Sequence, residues 1–387
     1  MQRKNYVLIT DVNSRKAFDV VNIIQRKLKY HVILAASKDF DIKLPLIYGR
    51  KVEMLRVDNI VNFKSDLLAI TEKHSSCNLI YLPVSEKPTR FFLMLKENER
   101  ILSRWFTLTP SLQNFNLTTD KFLFQRFCEV HNHPVPKSYN ENNFQELFTK
   151  FTPVVLKPKF GQGSVGIKYF YSKQDLPSVE GVDWDNNLIQ EKIISKSNVA
   201  GAFFLMYNQQ LISSYCHQRL RTFPESGGVT VYSKSVDYEE IIVLGKKLLG
   251  DLRWEGVAMI EFMFDESSGK WKIIELNPRL WGSVMLSEFC NSQILKFYIE
   301  LALGNQESID FQKSYVKTNL AIRWLYPLDI ISFFKGRLPA KEFLNISPAT
   351  TCYVNITYSS FYRTFAYFIY FTFNISSIAR FFKKIKV

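Results

Sequence analysis

Residues 256–279 read GVAMIEFMFD-ESSGK-WKIIELNPR, two apolar runs on either side of a short polar loop that contains a glycine. Apolar, β-prone runs joined by such a loop are typical of a β-hairpin. If the turn is centred on Ser268, antiparallel pairing places Glu261 directly opposite Glu275. Asn277 lies two residues further along and therefore projects from the same face. The stretch thus predicts a hairpin that carries two facing acids.

A cation between the two acids would relieve the repulsion of their facing carboxylates. Two glutamates and an asparagine form an all-oxygen ligand set, which suits Mg²⁺ held jointly with phosphate oxygens. Two alternatives stay open. A two-residue turn at Ser268 and Gly269 would slip the pairing by one residue and place Glu261 opposite Leu276. Acids on a solvent-exposed strand face are also common in their own right.

The composition predicts a globular, multi-domain protein with anionic partners. At 387 residues and 47% hydrophobic content, the chain is long enough for two or three domains with hydrophobic cores. A formal charge of +14 favours nucleotide phosphates, an acidic substrate, membrane lipid or nucleic acid as partners. No recognisable nucleic-acid motif accompanies the basic residues, so we expect no nucleic-acid partner.

Cysteine spacing and the first residues predict a cytoplasmic protein. The five cysteines have no CxxC spacing, which argues against a zinc site or a disulfide framework and fits a reducing compartment. The apolar run at residues 6–9 is too short for a signal-peptide core and is typical of a first β-strand.

Residues 5–105 alternate strand-like and helix-like runs, as in a small parallel α/β domain. We expect strands at residues 6–10, 31–35 and 78–82, and a helix at residues 17–28. The first strand-to-helix loop, residues 10–14, lacks the GxGxxG of a classical dinucleotide site, so no such cofactor is expected there. We place this domain at residues 1–110.

A second region, residues 111–305, combines helices with strand hairpins. Asp120 precedes an apolar-periodic run and predicts a capped helix there. From residue 153 onward the pattern is mostly strands and hairpins. We expect later helices at residues 238–249, with Gly250 as the C-terminal stop, and near residues 292–303.

Residues 306–387 form a third region that is rich in phenylalanine and tyrosine and poor in acids. Its aromatic stretch at residues 358–373 is interrupted by Arg363 and is too short to span a membrane as a helix. Basic residues follow at positions 380, 383, 384 and 386. Two interpretations are open: peripheral contact with an anionic membrane, or a C-terminal helix packed on the preceding domain, which aromatic stripes at helical spacing favour.

Residues 154–167, VVLKPKFGQGSVGI, contain a formal GxGxxG at Gly161, Gly163 and Gly166. A β-branched and aromatic run follows, so the loop joins two strands and does not open a helix. Its backbone N–H groups can cover phosphates, and Lys157 supplies positive charge. No Gly-Lys-Ser/Thr ends the loop, which excludes a Walker A motif. A purely structural hairpin turn is the alternative.

Two further strands carry polar side chains. Arg219 and Arg221 alternate along one strand, so both guanidinium groups are expected on one face, where they would suit an anionic substrate or a transferring phosphoryl group. Gln190 and Glu191 interrupt an apolar strand at residues 188–194. A surface strand with solvated charges is the alternative for each pair.

Taken in order, these motifs resemble the ATP-grasp superfamily, especially its carboligase-like branch related to the carbamoyl-phosphate synthase large chain. The resemblance covers residues from about 5 to 305 and rests on Lys121 after Asp120, Lys157 with its glycine loop, Gln190-Glu191, Glu261, and Glu275-Leu-Asn277-Pro-Arg279. It implies an α/β plus α+β fold: an N-terminal parallel α/β (pre-ATP-grasp) domain, a two-subdomain ATP-grasp fold and a C-terminal aromatic-rich extension.

The resemblance also implies roles for individual residues. Those at the nucleotide are Lys121, Lys157, Gly161, Gly163, Ser164 and Gly166 near the phosphates, with Gln190 and Glu191 by the adenine. Glu261, Glu275 and Asn277 would hold Mg²⁺, with Mn²⁺ as an alternative. Arg279 would face the γ-phosphate or an acyl phosphate. Arg219 and Arg221, which the strand alternation and not the resemblance suggests, complete the expected catalytic set. Phe160 and Gln162 depart from the small residues usual in this loop.

The implied activity is ATP-dependent ligation, in which a small-molecule carboxylate is phosphorylated and an amine or thiol then displaces phosphate. ADP and phosphate would be the products. A phosphotransferase on the same fold, acting on a hydroxyl, is one alternative. A catalytically silent nucleotide-binding scaffold is another, although such a protein has no physical need to keep a pair of repelling carboxylates.

Overall fold

The computed structural model describes residues 3–36, 47–161, 166–195, 199–223, 229–309, 316–324, 329–335, 338–345, 347, 349–353 and 365. The N-terminal part is a five-stranded parallel sheet, as the sequence predicts. Its strands are β1 Asn5–Ile9, β2 His31–Ala36, β3 Glu53–Met54, β4 Asn78–Tyr81 and β5 Trp105–Phe106, in the order β3-β2-β1-β4-β5. The helices are α1 Arg15–Asn22, continued by a π-helical turn Ile23–Lys27, α2 Ile60–Lys73 and α3 Glu86–Asn98.

The strands of this sheet are apolar on both faces because both faces are covered. Val7 and Ile9 of β1 pack into the core shared with α1 and with the rest of the molecule. Leu8 points to the other side and packs with Phe63 of α2 and Phe92 of α3.

The next part is a smaller antiparallel sheet with three helices. Its helices are α4 Leu112–Thr119, α5 Lys121–Val130 and α6 Glu146–Thr149. Its strands are β6 Ser138–Tyr139, β7 Val154–Pro158, β8 Lys168–Phe170 and β9 Asn187–Glu191, in the order β6-β9-β7-β8. The predicted cap of α5 is confirmed, since the Asp120 carboxylate accepts hydrogen bonds from the amides of Phe122 (2.8 Å) and Leu123 (3.1 Å).

A seven-stranded sheet forms the largest part of the chain. Its strands are β10 Val199–Tyr207, β11 Gln210–Phe223, β12 Val229–Val236, β13 Gly256–Asp265, β14 Lys270–Asn277, β15 Ala321–Arg323 and β16 Thr351–Tyr353, in the order β14-β13-β10-β11-β12-β15-β16. The accompanying helices are α7 Glu239–Asp251, α8 Val284–Phe289, α9 Ile294–Ala302, α10 Ile330–Phe334 and α11 Ala340–Phe343. Short 3-10 turns lie at Arg100–Arg104, Lys173–Asp175, Val179–Gly181 and Gln306–Ser308.

The two faces of the seven-stranded sheet pack against different partners. Phe203 and Tyr215 lie on the face that packs with α8, α9 and the N-terminal sheet. Phe204 and Ile260 lie on the other face, against α7 and α5. The acids Glu261 and Glu275 belong to the first face, so the candidate site lies where the two large sheets approach each other.

The predicted helix stop at Gly250 is wrong. α7 includes Gly250 and ends at Asp251, and Arg253 takes the left-handed conformation (φ 46°) that usually marks a helix end. The Trp254 amide then donates to the Leu249 carbonyl (2.9 Å) and closes the helix. A Cβ added to Gly250 would meet nothing within 4 Å, so no local feature requires glycine there.

Part of the C-terminal region belongs to the large sheet. β15 pairs antiparallel with β12, and β16 pairs parallel with β15. The expected boundaries, 1–110, 111–305 and 306–387, stay predictions. The aromatic stretch at residues 358–373 (apart from residue 365) and the basic positions after it lie outside the described residues. Within the described part of the chain, no helix is long and apolar enough to cross a membrane.

The five cysteines, all of which the structure describes, form no disulfide. Four of them are buried, as small core residues would be.

Candidate active site

The two acids of the hairpin face each other, which confirms the predicted pairing of Glu261 with Glu275. The reason differs from the expected one. Near the turn, Phe262 pairs with Ile273, so the turn is not centred on Ser268. The register shifts between Glu261 and Phe262, and Ile274 is the extra residue of a β-bulge that restores the acid pair. The alternative pairing with Leu276 is wrong.

Polar side chains around the acid pair bind one another. The Asn277 amide donates to the Glu275 carboxylate (Nδ2 to Oε1, 2.9 Å). Arg219, on β11, reaches across β10 and forms an ion pair with Glu261. Burial raises the pKa of Glu261; the Arg219 guanidinium opposes this shift, and the neighbouring Glu275 carboxylate adds to it. The contacts of Arg219 and Asn277 therefore offset the repulsion between the Glu261 and Glu275 carboxylates.

The donor set fits a divalent cation shared with a nucleotide. Glu261, Glu275 and Asn277 offer oxygen atoms only, which Mg²⁺ prefers, and too few of them for a closed all-protein cage. Consistently, no group of three or more His, Cys, Asp or Glu side chains in the described residues could hold a metal by itself. Phosphate oxygens would have to complete such a site.

Arg279 connects the acid pair to the N-terminal domain. Its Nη2 donates to Asn277 Oδ1 (2.7 Å), its Nε donates to Glu86 at the start of α3 (3.1 Å), and its Nη1 donates to the Leu280 carbonyl (3.1 Å). Lys16 of α1 donates to the same carbonyl (3.1 Å). Sequence reasoning missed Glu86 and Lys16. Glu86 contacts a residue 193 positions away and Lys16 one 264 positions away, and no local sequence pattern signals such contacts.

The glycine loop joins two antiparallel strands, β7 and β8, as predicted. Gly161 and Gly166 have positive φ angles of 127° and 79°, which glycine adopts without strain. Lys121 lies beside this loop and donates to the Gly161 carbonyl (2.8 Å). Gly163 and Ser164 lie outside the described residues. The predicted phosphate contacts of the loop and of Lys121 stay predictions.

Lys157, on strand β7 of the small sheet, lies near the acid pair. The residue is 7% exposed, and burial lowers its pKa to about 8, while the carboxylates of Glu275 and Glu261 partly oppose that shift. A lysine of β7 and two acids of the hairpin therefore lie within electrostatic reach of one another. Positive charge facing two carboxylates is the arrangement that a metal-bound polyphosphate would match.

Gln190 and Glu191 lie at the end of β9, where the chain leaves the small sheet. The Gln190 side chain is buried and bonded to Gln125 of α5, which itself donates to the Pro136 carbonyl (2.7 Å). Gln190 therefore fixes α5 on the sheet. Glu191 is half-buried, and its amide donates to the Lys137 carbonyl (2.8 Å). Their expected position by an adenine stays a prediction.

The two arginines of β11 are not brought together. The register of β11 shifts between Arg219 and Arg221, so simple alternation does not apply. Arg219 binds Glu261, whereas Arg221 donates to Asp329 (Nε to Oδ1, 2.8 Å) and pairs with Glu342 of the C-terminal region. The ion pairs of Arg221 thus lie with the C-terminal region and not with the acid pair.

The glycine-loop sheet and the acid-bearing sheet thus approach each other at Lys157 and the acid pair. Residues 118–283 match the family of the ATP-grasp domain, and this part of the chain is an ATP-grasp domain. The carbamoyl phosphate synthase large chain of Methanobrevibacter smithii is 23% identical over 215 residues, which are 51% of this chain and 20% of that protein. The chain thus spans about a fifth of the length of the curated relatives it matches.

Solved structures share the fold over most of the chain. The biotin carboxylase domain of Hydrogenobacter thermophilus 2-oxoglutarate carboxylase, solved with MgADP and bicarbonate, aligns with a TM-score of 0.62 at 13% identity and covers 83% of this chain and 74% of that one. N5-carboxyaminoimidazole ribonucleotide synthetase from Thermotoga maritima aligns with a TM-score of 0.54 at 15% identity. The alignment covers 78% of this chain and 76% of that one. These likenesses establish the N-terminal parallel sheet followed by an ATP-grasp fold.

Proposed function

We propose that this protein is an ATP-dependent ligase that joins a small-molecule carboxylate to an amine or a thiol. One observation carries the proposal: Glu261 and Glu275 face each other across the hairpin, with Lys157 opposite them and Arg279 beside them. The known fold neighbour with MgADP and bicarbonate, and the match to the ATP-grasp domain, support a nucleotide in this cleft.

In the proposed reaction a carboxylate oxygen attacks the γ-phosphorus of ATP, the bond to the bridging oxygen breaks, and ADP leaves. The amine or thiol then attacks the acyl carbon of the resulting acyl phosphate, loses its proton, and displaces inorganic phosphate. Mg²⁺ held by Glu261, Glu275 and Asn277 would neutralise phosphate charge. Lys157 and Arg279 would bind the charge that develops on the transferred group.

A phosphotransferase that acts on a hydroxyl is the first competing function, because it would need the same nucleotide site. A silent nucleotide-binding scaffold is the second. The facing acids argue against the scaffold, since a catalytically silent protein has no physical need to keep two carboxylates that repel each other.

The test is ADP release by the purified protein, screened over pooled carboxylates with pooled amines and thiols, followed by mass spectrometry of the products. A ligase consumes two co-substrates for each ADP, whereas a phosphotransferase yields a stable phosphoester from one. Replacing Mg²⁺ by Mn²⁺ in the same assay tests the second metal. Binding of Mg-ATP without ADP release under any pool would refute both enzymes and support the scaffold.

We also propose a cytoplasmic location and leave two interpretations of the C-terminal tail to one experiment. A chain that ends at Asn355 is compared with the full chain for sedimentation with anionic liposomes. Retained activity with lost sedimentation supports a membrane contact, because each basic residue near an anionic surface contributes roughly 1 kcal/mol. Aggregation of the shortened chain, with no liposome binding by the full chain, supports a segment packed on the protein.

A further inference from the structure

Three buried polar groups on one face of the large sheet have no hydrogen-bond partner among the described residues. They are both ring nitrogens of His217, Nε of Arg219 and the hydroxyl of Ser233. His217 is 2% exposed and Ser233 is fully buried. Leaving a buried polar group without a hydrogen bond costs free energy, so we expect each of these groups to bind a hydrogen-bonding partner.

The sheet register places these groups together. Arg219 pairs directly with Ser233 on β12, and His217 lies two residues from Arg219 with no irregularity between them, so all three side chains share one face. The same face carries Glu261, because His217 and Glu261 both pair with Gly201 on the strand between them.

The cluster opens towards the acid pair. A Cβ at Gly201 would lie only 2.9 Å from His217 Nε2, so the imidazole leans over the glycine in the direction of Glu261. Arg219 and Glu261 themselves keep 19% and 18% of their side chains exposed. Arg219 therefore lies on the exposed side of the cluster, next to Glu261, and His217 and Ser233 lie behind it.

The chemistry of the three groups selects an anion. Arg219 offers an N–H and a positive charge, which disfavours a metal ion, and Ser233 offers an O–H. Burial, together with Arg219, lowers the pKa of His217 to about 3, so its ring stays neutral and offers one N–H. Three donors, one of them on a guanidinium, suit an oxyanion.

We propose that His217, Arg219 and Ser233 bind an oxyanion of the substrate beside the acid pair. The inference rests on the proposed ligase, in which that oxyanion is the carboxylate of the acid substrate or the phosphate group transferred to it. Three donors on the same sheet face would hold the substrate next to the nucleotide and would strengthen catalysis by orientation.

The experiment follows the histidine ring signals of the full-length protein by NMR after labelling with ¹⁵N-histidine. The chain has five histidines, and loss of one signal set in His217→Gln assigns the ring. Acetate and inorganic phosphate are the two probes, each added with and without Mg-ADP. A shift of the His217 signals by acetate alone identifies a carboxylate site. A shift by phosphate only when Mg-ADP is bound identifies the transferred phosphate.

Two serine variants on the same strand and face form a matched pair. The Ser235 hydroxyl is satisfied by the Leu320 carbonyl (3.1 Å), whereas the Ser233 hydroxyl has no partner in the described structure. Ser233→Ala should weaken probe binding about tenfold, as loss of a hydrogen bond to a charged group does, and should not lower Tm. Ser235→Ala should lower Tm and leave probe binding unchanged.

Two results would overturn the site. One is the absence of any shift of the His217 signals with either probe, with or without Mg-ADP. The other is unchanged probe binding in Ser233→Ala together with a loss of Tm like that of Ser235→Ala, which would assign the hydroxyl to internal structure. Mg-ATP affinity, measured separately, keeps the two proposals apart: binding of Mg-ATP without a probe response refutes the oxyanion site alone, and a probe response without Mg-ATP binding refutes the ligase.

Discussion

Glu261 stands directly opposite Glu275 because β14 is bulged at Ile274. Without the extra residue, the register set at the turn would pair Glu261 with Ile274 and move Glu275 away from the acid pair. A bulge next to a functional site commonly re-aims a side chain in this way. The local irregularity thus creates the metal-binding geometry proposed for this hairpin.

Glu275→Gln should lower ADP formation at least about a hundredfold, because it would remove one of the few oxygen ligands of the proposed Mg²⁺. Tm should stay constant or rise, since one of two repelling charges is gone. Glu266→Gln, an exposed acid of the same hairpin, is the control and should behave like the wild type. ADP formation by Glu275→Gln at near wild-type rate under limiting Mg²⁺ would contradict the metal role.

Mg-ATP binding should weaken as pH rises above about 8, where the buried Lys157 loses its proton. Its pKa is lowered from the usual 10.5, so the unfolded chain binds more protons between those values, and wild-type stability should rise with pH across that window. Lys157→Met should bind Mg-ATP weakly at every pH and lose both trends.

Lys159→Met is the control for this effect, because the Lys159 ammonium lies 4.8 Å from the centre of the Phe122 ring and the residue, unlike Lys157, is only partly buried. Calorimetry of Mg-ATP binding and thermal melts over the same pH range provide the two measurements. A pH dependence that survives in Lys157→Met would assign the titration to another group.

The sequence was sufficient for features that depend on neighbouring residues. The alternation of strands and helices predicts the parallel N-terminal sheet, Asp120 predicts the cap of α5, and the β-branched run after Gly166 predicts a loop between strands. The facing acids were predicted as well, although from a turn geometry that the structure replaces by a bulge.

Features that depend on distant residues could not be predicted. The alternation of Arg219 and Arg221 suggests one shared face, but a register shift separates them, and Arg221 binds Asp329, which is 108 positions away. Glycine at 250 suggests a helix stop, but Arg253 supplies the left-handed residue. The helix-stop error is local, because Arg253 lies only three positions from Gly250, whereas the separation of Arg219 from Arg221 comes with tertiary pairing that overrides a local signal.

Arg221→Ala should lower stability by about 3 kcal/mol and leave ADP formation by the folded protein intact. The fully buried Asp329 would lose one of its two arginine partners and keep only Arg323 (Nε to Oδ2, 2.5 Å), and breaking a buried ion pair is costly.

Glu342→Gln is the matched control, because that acid is 54% exposed and its pair with Arg221 should contribute less than about 1 kcal/mol. Arg219→Ala should differ from Arg221→Ala by losing activity as well as stability, because it removes the ion-pair partner of Glu261 beside the acid pair. Denaturant unfolding and ADP release give the two readouts. Loss of activity in a stable Arg221→Ala protein would return Arg221 to the catalytic set.

Asp19→Asn should make the protein more stable near pH 8 and flatten its pH dependence. Asp19 is fully buried in α1, where burial raises its pKa to about 8 although Arg15 opposes the shift. Folded protein therefore binds more protons than unfolded protein between about pH 4 and pH 8, and wild-type stability should fall with rising pH by up to about 1.4 kcal/mol per unit. The exposed Asp185→Asn should keep the wild-type trend in thermal melts. An Asp19→Asn protein that follows that trend too would show that this carboxyl does not titrate in the folded state.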